Sequence, residues 1–157
     1  METIHYVIIL SMIAASAFFS GMEIAFVSAN RLKIELDRNK GAFAARILTR
    51  FTKKPSSFIA SMLLGNNIAL VVYGIYMAIL LEPLIAQHII DNKAIVLLLQ
   101  TIASTLIILV TAEFLPKSLF RINPNRILNI AAIPLWLVYW TMFPITLITI
   151  GLSNGIL

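Results

Sequence analysis

The chain has 157 residues, of which 60% are hydrophobic and 12% charged, about half the charged share of a soluble domain. It has no cysteine, which excludes disulfides and thiolate metal sites. The net charge of +5 would suit nucleic acid, but eight of the twelve Lys and Arg lie between Arg31 and Lys54, and three more are Lys117, Arg121 and Arg126. Basic clusters that flank long apolar runs mark the cytoplasmic loops of a membrane protein, not a DNA-binding face.

Thr3 to Met22 contains no Asp, Glu, Lys or Arg, and the helical pattern continues past Glu23. A first spanning helix is expected over 3–28. No basic segment precedes this run, so a cleaved signal is not expected. Ser16, Ser20 and Glu23 recur at i, i+4, i+7 and share one face, and Gly21 permits close approach of a neighbour. Such a face fits an ion path. The plainer alternative is hydroxyls bonded back to the preceding turn, with Glu23 reaching interfacial water or a basic partner.

The basic stretch that follows carries an interrupted amphipathic pattern in Ile34, Leu36, Phe43, Ala44, Ile47, Leu48 and Phe51, with a turn at Asn39-Lys40-Gly41. Two short helices over about 29–39 and 42–53 are expected on the cytoplasmic surface of the membrane. They serve either as a belt around the spanning bundle or as a positive loop held by anionic lipid; the two roles are compatible.

Pro55 suits the first turn of a second spanning helix, expected over 55–81, a run without a charge. Ser57, Ser61, Gly65 and Asn66 line its polar side. Asn66 and Asn67 point about 100° apart, so only one of them can face a given partner. Amides at mid-membrane depth are costly unless used, either for ion binding or for a hydrogen bond to a neighbouring helix packed on the glycine. Tyr73 and Tyr76 suit interfacial anchoring or a contact between subunits. Glu82 to Lys93 is a short polar connection, placed outside by the positive-inside rule.

A third span is expected over 94–116, with Gln100, Thr101, Ser104 and Thr105 as its polar residues. Pro116 removes the hydrogen bond to the Ala112 carbonyl, and a freed carbonyl beside the Glu113 carboxylate makes a hard-cation ligand pair. The alternative for Glu113 is an i, i+4 ion pair with Lys117. After a polar turn, Arg121 to Arg126, the run 127–152 carries no charge, but Pro134 and Pro144 interrupt it and Ser153-Asn154-Gly155 is expected to break its end. It reads as a kinked juxtamembrane or re-entrant segment, with a fourth crossing as the alternative. The chain is still apolar at Leu157, as expected of a piece of a longer protein. The expected fold is all-α and integral to the membrane: three transmembrane helices, cytoplasmic amphipathic juxtamembrane helices and a Pro-kinked fourth apolar segment.

Three stretches carry a resemblance. Phe18-Phe19-Ser20-Gly21-Met22-Glu23 followed by Arg31-Leu32, Leu63-Leu64-Gly65-Asn66, and Glu113-Phe114-Leu115-Pro116-Lys117-Ser118 resemble, in order and placement, the transmembrane domain of the CorC/CNNM (cyclin M) family, the domain of unknown function 21. The resemblance covers essentially the whole chain. It implies a homodimeric divalent-cation transporter of the inner or plasma membrane (bacterial here), associated in some members with Na⁺-driven Mg²⁺ export. It also implies an N-terminus outside, the basic loop 29–54 in the cytoplasm, and cytosolic CBS domains that this chain does not include. Carried over, the metal site draws on Ser16 and Ser20 of the first helix, the Gly65 carbonyl and Asn66 of the second, and Glu113 of the third, with Mg²⁺ and a coupled Na⁺ as the ions. Asn67 departs from the family pattern. Some bacterial members are associated instead with haemolysin or gliding motility, which leaves a membrane anchor and dimerisation module with a structural or sensory Mg²⁺ site as the second reading. An enzyme is not expected: there is no His-Glu-x-x-His and no Gly-x-Ser-x-Gly.

Overall fold

A computed structural model describes the backbone of residues 2–88 and 92–156, and the side chains of 3–87 and 92–145. All its elements are helical: α1 Glu2–Ser28, α2 Arg31–Asn39, α3 Phe43–Lys53, α4 Pro55–His88, α5 Lys93–Ile108, a π-helical stretch Leu109–Phe114, α6 Leu115–Ile122, α7 Pro124–Ile130 and α8 Ala132–Ile156. Three helical runs, Thr3–Ser28, Pro55–Gln87 and Lys93–Ile122, are long and apolar enough to cross a membrane. The shortest has 26 residues, about 39 Å at 1.5 Å per residue, against a hydrocarbon core of about 30 Å.

Residue pairs fix the packing. Ser16 meets Asn66, Phe19 lies on Gly65 and Phe26 stacks on Phe58, so α1 and α4 run antiparallel. The third span returns parallel to α1: Ile9 and Ile108 share one buried cluster with Tyr73, Met77 and Ala112, and the Phe120 ring covers Gly21. A Cβ on Gly21 would lie 2.3 Å from Cδ2 of that ring. Glycine is required there by space, and the close approach expected of it is to α6. Tyr73 donates its hydroxyl to the Ser104 carbonyl at 2.9 Å; it is an internal tie between α4 and α5, not an interfacial anchor.

A second core sits at the basic end. Phe26, Leu48, Phe51, Phe58, Leu128 and Leu135 are almost fully buried together. The amphipathic face of α3 thus packs against α7, α8 and the start of α4, and Phe58 of α4 links it to Phe26 of α1. Asn30 caps α2 by accepting from the Lys33 amide at 3.1 Å, and Asn125 accepts from the Asn30 amide while donating to its carbonyl. These bonds pin the α1–α2 junction to α7. Gly41 supplies the turn between α2 and α3 with φ of 86°, a conformation that favours glycine.

Prolines behave differently from expectation. α4 continues past Leu81 through Pro83 to His88, so much of the expected outer connection is helical, and only 89–91 lie outside the described residues. The apolar fourth segment bends by 73° between α7 and α8 at Ala131, three residues before Pro134. Pro134 falls in the first turn of α8, where its missing N–H is not needed. Pro144 lies inside that helix, and the helix runs on through Ser153, Asn154 and Gly155 to Ile156. At Pro116 the strain is taken up before the proline: the chain widens to i→i+5 bonding, with the Leu115 amide on the Val110 carbonyl, and α6 resumes beyond it.

Candidate metal site

The polar groups of the first two spans meet in the seam between α1 and α4. Ser16, with no exposed surface, donates to Asn66 Oδ1 at 2.6 Å. Back-bonding, the usual fate of a membrane serine, is thus not what Ser16 does. Asn66 is buried and its neighbour Asn67 exposed, so the amide pair divides between the seam and the outer surface, as their angular separation requires.

Ser20 lies one turn further along the same face and is completely buried. Its hydroxyl has no hydrogen-bond partner. The antiparallel register puts it level with the turn of α4 that holds Ser61 and Gly65. Gly65 is buried under the Phe19 ring, and a Cβ there would come within 2.5 Å of Phe19 Cε1. Ser61 donates to the Ser57 carbonyl at 2.9 Å, and Ser57 shares a 3.1 Å hydrogen bond with the Tyr139 hydroxyl of α8. A polar thread therefore runs along α4 from its basic end toward Asn66. The link to Tyr139 could not be read from the sequence, where Tyr139 is one aromatic among several.

Glu113 stands apart. The parallel run of α1 and the third span sets it at about the height of Ser16, yet its carboxylate is 3.4 Å from Lys117 Nζ. It lines an outer groove with Leu109, Val110, Phe114 and Lys117, all from its own span. Ala112, not Glu113, is the residue of this stretch buried against the bundle. Ser16, Ser20, Gly65 and Asn66 thus share the seam, whereas Glu113 makes the ion pair that its spacing to Lys117 allows. Glu23 is half-buried at the basic end of the serine face. Gln100 of α5, also buried, carries the other side-chain oxygen without a partner among the described residues.

No three His, Cys, Asp or Glu side chains come together among the described residues, so what the seam offers is uncharged oxygen: hydroxyls, a side-chain amide and a backbone carbonyl. Such donors suit hard cations of the Mg²⁺, Ca²⁺ or Na⁺ kind better than softer transition metals.

Three apolar spans, a basic end closed by amphipathic helices and a polar seam at mid-depth define an integral membrane protein with a candidate ion site inside its bundle. The profile of the cyclin M transmembrane N-terminal domain matches residues 7–157, and the chain belongs to that family. It is 26% identical over 112 residues to the UPF0053 inner membrane protein YfjD of Escherichia coli, covering 71% of this chain and 24% of that protein. It is also 28% identical over 150 residues to the UPF0053 protein MG146 of Mycoplasma genitalium, covering 91% of this chain and 34% of that one. The Mycoplasma pneumoniae homologue of MG146 is 28% identical over 135 residues, with 83% and 31% covered. The chain thus spans between about a quarter and a third of the length of these relatives.

Proposed function

We propose that the chain is the membrane-spanning part of a divalent-cation transporter whose cargo is Mg²⁺, working as a Na⁺-coupled exporter. The observation that carries this reading is the Ser20 hydroxyl, fully buried and unpartnered one turn from the Ser16–Asn66 pair. A hydroxyl left without a partner between membrane helices is costly. A cation passing through the seam would take that oxygen, together with Ser16, Asn66 and the Gly65 carbonyl. Mg²⁺ needs about six oxygens and keeps several waters, which this donor number allows. Weak, uncharged donors also let the ion leave.

Glu113 supplies the charge in this mechanism. It exchanges Lys117 for the cation by turning toward the seam, and the π-helical stretch with Pro116 is where the third span flexes to let it. Family membership supports the reading as a whole. The basic end faces the cytoplasm of a bacterial inner or plasma membrane, which sets the N-terminus outside. The working unit is a homodimer joined to cytosolic CBS domains of the longer protein, and it is not an enzyme. The third span is the least covered of the three, 11% buried over its most apolar window against 28% and 22% for the others, and it is the face assigned to the second subunit, with α4.

One observation favours a second reading, in which the bundle only anchors and dimerises a regulatory protein and any Mg²⁺ is structural or sensory: Glu113 already has a partner in Lys117. Titration calorimetry with Mg²⁺ on the detergent-purified protein separates the two, alongside Asn66→Ala and Glu113→Ala, followed by Mg²⁺ flux in liposomes with and without a Na⁺ gradient. Transport predicts binding by the wild type, loss in both variants while they remain folded, and Na⁺-dependent flux. Absent binding across the millimolar range, or equal binding by the variants, overturns the site. Binding without flux favours the anchor.

A further inference from the structure

At the basic end, α3 and α8 enclose a feature unrelated to the seam. Phe43, Arg46, Ile47 and Arg50 fall on one face of α3 at i, i+3, i+4, i+7, and with Ile133 and Trp136 of α8 they line a groove of about 490 Å³. Through Arg50 and Trp136 this continues into a second groove of about 280 Å³, which Lys53 and Lys54 flank and Tyr139, Trp140 and Phe143 wall. Arg46, Arg50, Lys53 and Lys54 are all exposed. None of them has an acidic partner among the described residues, where the ion pairs are Arg38–Glu35 and Lys117–Glu113. Four cations therefore stand unneutralised over an aromatic floor.

The depth of the feature decides its occupant. Lys54 directly precedes Pro55, the first residue of the second span, so Lys53 and Lys54 sit within a turn of the start of that span, and Arg50 and Arg46 lie one and two turns further back along α3. Tryptophan and tyrosine rings prefer that level, and long basic side chains reach headgroups from it. Trp136 and Trp140 are 37% and 53% exposed, which leaves the aromatic wall open sideways. A groove that is apolar along its wall and cationic along its rim matches an acyl chain ending in an anionic phosphate. We infer that the α3–α8 groove is a binding site for an acidic phospholipid. Its headgroup phosphate is held by Arg46 and Arg50, with Lys53 and Lys54 beside them, and its acyl chain lies against Trp136 and Trp140. Bound there, the lipid ties the basic helix α3 to α8 and sets how the basic end rides on the membrane.

Trp136 and Trp140 are the two tryptophans of the chain, so its tryptophan fluorescence reports on this groove. The protein is reconstituted in phosphatidylcholine vesicles in which a rising fraction of lipid is replaced by dibrominated phosphatidylglycerol or, separately, dibrominated phosphatidylcholine, and quenching is compared. The brominated anionic lipid is expected to quench at a lower mole fraction, with a relative association constant about fivefold or more above one, since each basic group near the surface is worth roughly fivefold. Arg46→Gln/Arg50→Gln should bring that ratio close to one while leaving quenching by brominated phosphatidylcholine unchanged. Equal quenching by the two lipids in the wild type, or a preference that survives the double substitution, overturns the inference. So does quenching by neither, because protein rather than lipid would then cover the aromatic wall.

Discussion

Ser20→Ala tests the logic of the seam most directly, because stability and function should move in opposite directions. The Ser20 oxygen is fully buried and unpartnered; a buried hydroxyl in that condition costs about 1–3 kcal/mol. Alanine keeps the Cβ and leaves a gap of one oxygen, losing a few dispersion contacts worth a few tenths of a kcal/mol in all. The variant should therefore be more stable than the wild type by about 1 kcal/mol, or roughly 2–4 °C in Tm for a chain of this size. Thermal unfolding of the detergent-purified protein, followed by far-UV circular dichroism without divalent cation, reads this gain. Repeating the scan in Mg²⁺ reads the function: a ligand at a hundredfold excess over its Kd stabilises by about 2.7 kcal/mol, and this increment should shrink or vanish in Ser20→Ala. A variant that loses 1 kcal/mol or more in the absence of Mg²⁺ would refute the reasoning, since a hydroxyl that stabilises the fold must have a partner within it.

The Ser16–Asn66 hydrogen bond should appear in a double-mutant cycle of Ser16→Ala and Asn66→Ala as a coupling of about 0.6–1.7 kcal/mol, the range for membrane helices, read by denaturation in mixed micelles; zero coupling would mean that the two side chains do not meet. Gly65→Ala drives a methyl toward the Phe19 ring, to within 2.5 Å of Cε1. The overpacking cost of about 1–3 kcal/mol should exceed the roughly 1 kcal/mol gained in helix propensity, and Phe19→Leu added to it should recover most of the loss in the same assay. Lys117→Met removes an ion pair whose side chains are 40% and 30% exposed, so stability should change by less than about 0.5 kcal/mol, whereas Mg²⁺ affinity by calorimetry should rise if Glu113 is thereby released to the seam. Gln100→Met should leave stability unchanged or raise it by about 1 kcal/mol; a clear loss would show that its buried oxygen is paired.

The spans were legible because charge is so costly in hydrocarbon that its absence over twenty residues is a signal by itself. The short helices α2 and α3 were legible because Gly41 breaks an amphipathic pattern with a positive φ. The prolines were not, since a proline's effect depends on where its helix begins. Pro134 reads as a break in isolation, but with a bend already made at Ala131 it becomes an ordinary first-turn residue. Pro83 lies inside a helix of 34 residues that runs on to His88, although it removes one backbone bond. Pro116 signals a disturbance, but nothing local says that it will be absorbed upstream as a widened turn. The tie from Tyr73 to Ser104 joins residues 31 apart, and pairings of that range leave no trace in local pattern.

For the seam the spacing of Ser16 and Ser20 was sufficient to put them on one face, and the angle between Asn66 and Asn67 was sufficient to divide them; which amide turned inward needed the register of α1 against α4. Glu113 was ambiguous for a physical reason that also explains the layout. Hydroxyls and amides carry no net charge, so burying them between helices costs at most their unmade hydrogen bonds. A carboxylate buried unpaired costs several kcal/mol more, and a lysine one turn away is the nearest remedy a helix can provide. Neutral donors in the seam and the carboxylate on the outer groove, beside Lys117, is therefore the arrangement that desolvation favours. Moving Glu113 inward requires a cation there that repays its separation from Lys117.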